Sequence, residues 1–150
     1  MTNAERIAAF TAQPAVAVFG VSRSGKKFGN IACRELRAKG YRVYPIHPIA
    51  TAIGSMRCYP KIADLPEHVD AALVVVPPVA ALDVVRDIAA AGVRPVWLQQ
   101  GADSPRVLEL CRELQLEVVA GECILMYTQP TGIHRAHRWL HDVLHAASNA

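Results

Sequence analysis

Three cations lie close together among glycines: Arg23, Lys26 and Lys27, in the stretch Gly20-Val21-Ser22-Arg23-Ser24-Gly25-Lys26-Lys27-Phe28-Gly29. Guanidinium and ammonium groups on a glycine-bearing turn suit the binding of an anion, phosphate above all. An apolar run, Val16–Phe19, precedes the turn, and a helical pattern starts near Phe28. A strand, a glycine turn and a helix start together offer backbone N–H groups and a positive helix end to a phosphate. The plainer reading is a strand-to-helix connection that merely needs glycine. The turn is no complete dinucleotide fingerprint, because Ser22 stands where G-x-G-x-x-G has its second glycine and the glycines fall at 20, 25 and 29.

Other reactive side chains are more scattered. His47 follows the second apolar run and reads either as a contact to a ribose or phosphate or as an exposed loop histidine. That run ends Pro45-Ile46-His47-Pro48, without the acid that an NAD site places there for the ribose hydroxyls. His134, His137, His141 and His145, spaced by 3, 4 and 4, share a narrow stripe of a helix. Such a stripe fits zinc ligation, a solvated face or a subunit contact. Cys33, Cys58, Cys111 and Cys123 form no C-x-x-C pair, which fits reduced thiols in the cytoplasm. The sequence carries no Ser-His-Asp spacing, H-E-x-x-H, P-loop or paired-carboxylate motif.

These residues need elements to position them. A short helix is expected over 4–10, with Ile7, Ala8 and Phe10 available for packing. Strands are expected over 16–19, 41–46, 71–76, 95–98 and 117–120. Between them fall helices over 28–39, 79–91 and 105–114, with Ile31, Cys33 and Leu36 as the buried side of the first. A longer connection spans 49–60, a single turn 62–65, and a last helix 133–146. The run Ala71–Val76 is apolar throughout, as in a strand covered on both faces, and Pro77-Pro78 stops it. Strands alternating with helices predict an α/β fold: a single Rossmann-like doubly wound parallel sheet of about five strands with helices on both faces. Its ligand belongs beyond the carboxyl ends of the strands, here Gly20–Lys27, His47-Pro48, Val76–Pro78, Gln99–Gly101 and Gly121–Cys123.

The composition sets bounds. With 150 residues and 52% hydrophobic residues, one domain over 1–150 with a substantial core is expected, the core over 14–126. A net charge of +3, with its charges dispersed, argues against a nucleic-acid partner. No apolar run reaches the roughly 18 residues that cross a bilayer, and Glu5 and Arg6 break any signal-peptide core. Charged residues are only 19%, and with the apolar terminal helix this points to a homodimer.

Five pieces in order, GVSRSGKKFG, GYRVYPIHP, VVVPP, VWLQQGA and GECIL, resemble the small CoA-binding domain proteins. These are similar to the N-terminal domain of the succinyl-CoA synthetase alpha subunit. The resemblance implies coenzyme A, free or acylated, as ligand of a cytoplasmic protein without catalytic machinery of its own, since the synthetase's phosphohistidine and second domain lie outside this domain. It places the CoA phosphates on Gly20, Val21, Ser22, Arg23, Lys26 and Lys27, with Phe28 beside them. It places the nucleotide end at His47 and Pro48, the adenine or pantetheine arm on Val76, Pro77 and Pro78, and the arm again on Gln99, Gln100 and Gly101. Cys123 would lie near the ligand's thiol, as a partner for a mixed disulfide or as a small hydrophobe. Many members carry Asn-Pro and then a lysine where this chain has His47, Pro48, Ile49 and Ala50, so Arg57 and Arg23 are the candidates for the 3′-phosphate. Two alternatives stand beside this reading: an NAD(P)-binding oxidoreductase-type Rossmann protein and a nucleotide-sensing interaction module.

Overall fold

In the computed structural model the described residues are 1–128. The helix expected over 133–146 and its histidine stripe lie outside them. In chain order the elements are α1 (Asn3–Thr11), β1 (Ala15–Phe19), α2 (Phe28–Ala38), β2 (Arg42–Ile46), β3 (Ala52–Ile53), β4 (Met56–Arg57), a 3-10 turn (Ile62–Asp64), β5 (Ala72–Val74), α3 (Pro78–Ala90), β6 (Pro95–Leu98), α4 (Pro105–Glu113), β7 (Glu117–Ala120) and α5 (Ile124–Tyr127). Five strands pair in parallel in the order β2-β1-β5-β6-β7. Helices cover both faces, as the alternation of apolar runs and helical patterns predicts.

The central strands are buried on both sides, and their residues divide by the two-residue period of a strand. Ala17, Phe19, Ala72, Val74, Val96 and Leu98 pack with Ala81, Val85 and Ile88 of α3 and Val107 and Leu110 of α4. Val16, Val18, Leu73, Trp97 and Val119 pack on the other face with Phe10 of α1, Cys33 and Leu36 of α2 and Ile124 of α5. Trp97 anchors that second layer. Its ring meets Phe10 edge-on at 5.3 Å and Tyr127 at 5.6 Å, and its indole N–H donates to the Glu122 carbonyl at 3.0 Å.

The structure departs from the sequence reading at several points. Ile31 is exposed, not buried: it leans out of the first turn of α2 while Cys33 and Leu36 face the sheet. Ala8 is likewise exposed, and Phe10 carries the packing of α1. The strand expected to run to Val76 stops at Val74, because Pro77 already caps α3, which starts on Pro78. The connection over 49–60 contains the hairpin β3–β4, closed at Gly54-Ser55 with Gly54 at φ +59°. Ile53, Met56 and Cys58 of this segment are buried against the α2 side. Finally, α5 follows β7 and holds a buried lysine: Lys39 Nζ donates to Thr128 Oγ1 at 2.8 Å, and burial lowers the lysine pKa. No helix among the described residues is long and apolar enough to cross a membrane.

Candidate functional site

Because all five sheet strands are parallel, their carboxyl ends share one edge. Counted along the chain, the sheet order is second, first, third, fourth, fifth, so the direction of winding reverses between β1 and β5. Open α/β sheets bind ligands at this switch point. Gly20 and Val75, the residues that follow these two strands, lie in contact here. Gly20 has φ +107°, and a Cβ on it would stand 2.6 Å from the Val75 carbonyl carbon. The basic turn and the Val75–Pro78 segment are therefore neighbours.

The turn is held by its own polar groups. Ser22 O accepts from Gly25 N–H at 3.1 Å, Ser22 Oγ accepts from Ser24 N–H at 3.2 Å, and Ser24 Oγ accepts from Lys26 N–H at 3.2 Å. The Arg34 guanidinium donates to Gly25 O at 3.1 Å, adding a fourth cation to the turn. Arg23, Lys26 and Lys27 are exposed, and none forms an ion pair with a described residue. Lys27 is the N-cap of α2 without a side-chain cap bond, and the first turn of that helix carries no acid. The positive end of the helix dipole and its unpaired N–H groups thus stand with the cations and without a compensating carboxylate.

The remaining residues singled out in the sequence sit on the same edge. His47 is half-buried and turned into its own loop, where Nδ1 accepts from Ile49 N–H at 3.1 Å and Ala50 N–H at 2.9 Å. That geometry leaves the proton of a neutral ring on Nε2. Pro48 and Pro77 are exposed, and Val76 and Pro78 half-buried. Gln99 is buried, with Oε1 accepting from Ile124 N–H at 3.0 Å, and Gln100 Nε2 donates to Gly121 O at 3.3 Å. These two glutamines, followed by Gly101 at φ +93°, fasten the loop after β6 to the loop after β7. Cys123 is half-buried at the N-cap of α5.

Three of the four thiols, those of Cys33, Cys58 and Cys111, are buried, and Cys123 is half-buried. Burial pushes Cys33 up to about 12 and Cys111 up to about 11, and it raises Cys58 as well. Thiolate is the reactive form, so these three should resist alkylation in the folded protein. Iodoacetamide at mildly alkaline pH is expected to modify Cys123 alone, read by peptide mass spectrometry. Comparable labelling of Cys33 without unfolding would contradict the packing.

Sequence reasoning missed several contributors. Asn30 is fully buried and bonds both backbone groups of Ser22. No local pattern marks it, because its partner lies eight residues earlier, outside the helix. Gly29 lets α2 approach β1, since a Cβ there would stand 2.7 Å from the Gly20 carbonyl carbon. At the opposite, amino end of the sheet, Glu67 is held by Arg42 at 2.7 Å and by Tyr44 Oη at 2.6 Å. Both hydrogen bonds lower its pKa, the arginine's first, and the cluster is remote from the switch point.

A doubly wound parallel sheet with a cationic glycine turn at its switch point is the architecture of nucleotide-binding proteins. Within that class, this chain belongs to the CoA-binding domain family, whose description, "CoA binding domain", matches residues 14–129. Curated relatives that it matches are named as ADP-forming acetate–CoA ligases. The acetate–CoA ligase [ADP-forming] II of Archaeoglobus fulgidus is 32% identical over 110 residues, 65% of this chain and 16% of that protein. The acetate–CoA ligase [ADP-forming] of Methanocaldococcus jannaschii is 22% identical over 117 residues, covering 73% of this chain and 17% of the ligase. The chain thus spans about a sixth of the length of these relatives, the matches covering 16% and 17% of them. Among solved structures, "cell-free ID.343" from Thermus thermophilus superposes with a TM-score of 0.75 at 28% identity, over 87% of this chain and 99% of that one. A dinucleotide-forming acetyl-coenzyme A synthetase 1 of Ca. Korarchaeum cryptofilum, in complex with phosphate and ADP, gives a TM-score of 0.62 at 30% identity, over 71% of this chain and 25% of that one.

Proposed function

We propose that this chain binds coenzyme A, free or acylated, at the carboxyl edge of the sheet, and performs no catalytic step of its own. The observation that carries the reading is the turn Gly20–Phe28: glycine backbone against Val75, an uncompensated helix start, and three exposed cations without acidic partners among the described residues. Gly20, Val21, Ser22, Arg23, Lys26 and Lys27 take the diphosphate, with Phe28 beside it. His47 and Pro48 border the nucleotide end. Val76, Pro77 and Pro78 give the ligand an apolar edge, since Pro77 and Pro78 have no N–H to continue the sheet. Gln99, Gln100 and Gly101 shape the floor under the pantetheine arm through the loop they fasten, and Cys123 stands at the far end of that floor. The free thiols, three of them buried, suit a cytoplasmic setting.

Thermal unfolding with added ligand tests this. A ligand at about 100 times its Kd stabilises the folded state by about 2.7 kcal/mol. For a chain of this size that corresponds to roughly 5–10 °C in Tm. CoA should produce such a shift and NAD should not. An equal shift with NAD, or none with CoA, overturns the assignment. Formation of acetyl-CoA from acetate, CoA and ATP by the purified chain would overturn the non-catalytic half alone.

A further inference from the structure

We propose that Asn30 is the positioning residue that fixes the anion-binding shape of the turn between β1 and α2. This rests on the CoA reading. Asn30 is 0% exposed, and its carboxamide bonds both backbone groups of one residue, Ser22, eight positions earlier. Oδ1 accepts from Ser22 N–H at 2.9 Å, and Nδ2 donates to Ser22 O at 2.9 Å. Ser22 O also accepts from Gly25 N–H at 3.1 Å, so both its lone pairs are occupied. Gly25 O is taken by Arg34 at 3.1 Å.

The electrostatic consequence is direct. A backbone carbonyl swung toward a pyrophosphate would oppose it with its negative end. Asn30 and Arg34 hold two carbonyls of this turn on other donors, so the turn meets an anion with its cations rather than with carbonyl oxygens. Asn30 can reach Ser22 because it sits in the first turn of a helix brought close to β1 by Gly29, whose backbone lies against Gly20. The pairing needs one donor and one acceptor on the same short side chain. Asparagine supplies both, aspartate supplies only acceptors, and protonated aspartic acid supplies both again.

That chemistry separates positioning from mere packing. Asn30→Ala and Asn30→Asp would be compared with the unaltered chain for CoA affinity by calorimetry and for amide exchange at Ser22 without ligand. N30A should weaken CoA at least about tenfold, the loss expected when bonds worth roughly a kcal/mol each are removed. It should speed Ser22 exchange by a similar factor. N30D should bind more weakly still near neutral pH, where its carboxylate faces Ser22 O. Its affinity relative to the unaltered chain should recover as the pH falls towards about 5.5 and the buried carboxyl takes up a proton. Should N30A not fold, N30S, which keeps one hydroxyl there, replaces it with the same expectations at reduced size. A folded N30A or N30S that binds CoA as tightly as the unaltered chain overturns the proposal, and so does an N30D whose relative affinity ignores pH. If the unaltered chain itself binds no CoA, the ligand reading has failed, and unchanged Ser22 exchange in N30A would then show that the clamp has failed as well.

Discussion

Gly29→Ala is expected to lower Tm by roughly 5–10 °C and to weaken CoA binding at the same time, since ~2–3 kcal/mol shifts a domain of this size by a few degrees per kcal/mol. The change runs against helix propensity. Gly29 lies inside α2, where alanine would normally add about 1 kcal/mol. Here the new Cβ would stand 2.7 Å from the Gly20 carbonyl carbon and 3.1 Å from Val21 N, both backbone atoms that no rotamer change can move. Overpacking typically costs about 1–3 kcal/mol, and a clash with backbone belongs at or above the upper end of that range, so the steric term wins. Relief requires α2 to lift off the end of β1, which carries Asn30 away from Ser22 and opens the turn. Gly25→Ala is the control. Gly25 has φ +72°, but a Cβ there would meet nothing within 4 Å, so the change should cost only the ~1–2 kcal/mol of a left-handed residue. Equal melting of G29A and the unaltered chain would mean that α2 is not seated on Gly20 as described.

The contrast between these two glycines shows what the sequence could and could not convey. The five sheet strands were legible because buried parallel strands are near-continuous apolar runs, and AALVVV and AVAVF admit little else. The basic turn was legible because charge and glycine spacing are local properties. What Gly29 is for was not, because its reason is a carbonyl nine residues earlier in the chain. Asn30 was hidden in the same way, since a polar residue on a helix reads as solvent-facing until its partner is placed. The hairpin over 52–57 was missed because two-residue strands carry no period, and only Gly54-Ser55 signalled a turn. The family resemblance implies that Gln99 and Gln100 contact the ligand's arm, and in the structure both side chains bond to the segment after β7. They can shape the site while their hydrogen bonds remain inside the protein.

Removing the turn's cations should have the largest effect on binding and the smallest on stability. Arg23, Lys26 and Lys27 are exposed and form no ion pair with a described residue, so R23A/K26A/K27A should melt within a degree or two of the unaltered chain, as surface changes worth under ~0.5 kcal/mol do. Hydrogen bonds to charged groups contribute roughly 1.5–3 kcal/mol when made, but solvent screening at exposed positions takes much of that back. About one decade of affinity per cation is the expected net, giving a loss on the order of a thousandfold for the triple variant. The interaction is coulombic, so added salt should weaken CoA binding to the unaltered chain much more than binding to the variant. Arg57 provides a second comparison. Its guanidinium lies 5.3 Å over the Tyr59 ring, and Tyr59 is tied to the end of β2 through Pro45 O and His47 N–H. Arg57 itself lies on β4, so it stands beside the end of β2, where we propose the nucleotide end. If Arg57 meets the 3′-phosphate, Arg57→Ala should weaken CoA by about tenfold and leave dephospho-CoA unaffected. If Arg23 does so instead, the same selectivity should appear in R23A and be absent from R57A. Retention of full CoA affinity by the triple variant would remove the turn from the binding site altogether, because no other described stretch at that edge combines cations, glycine backbone and a helix start.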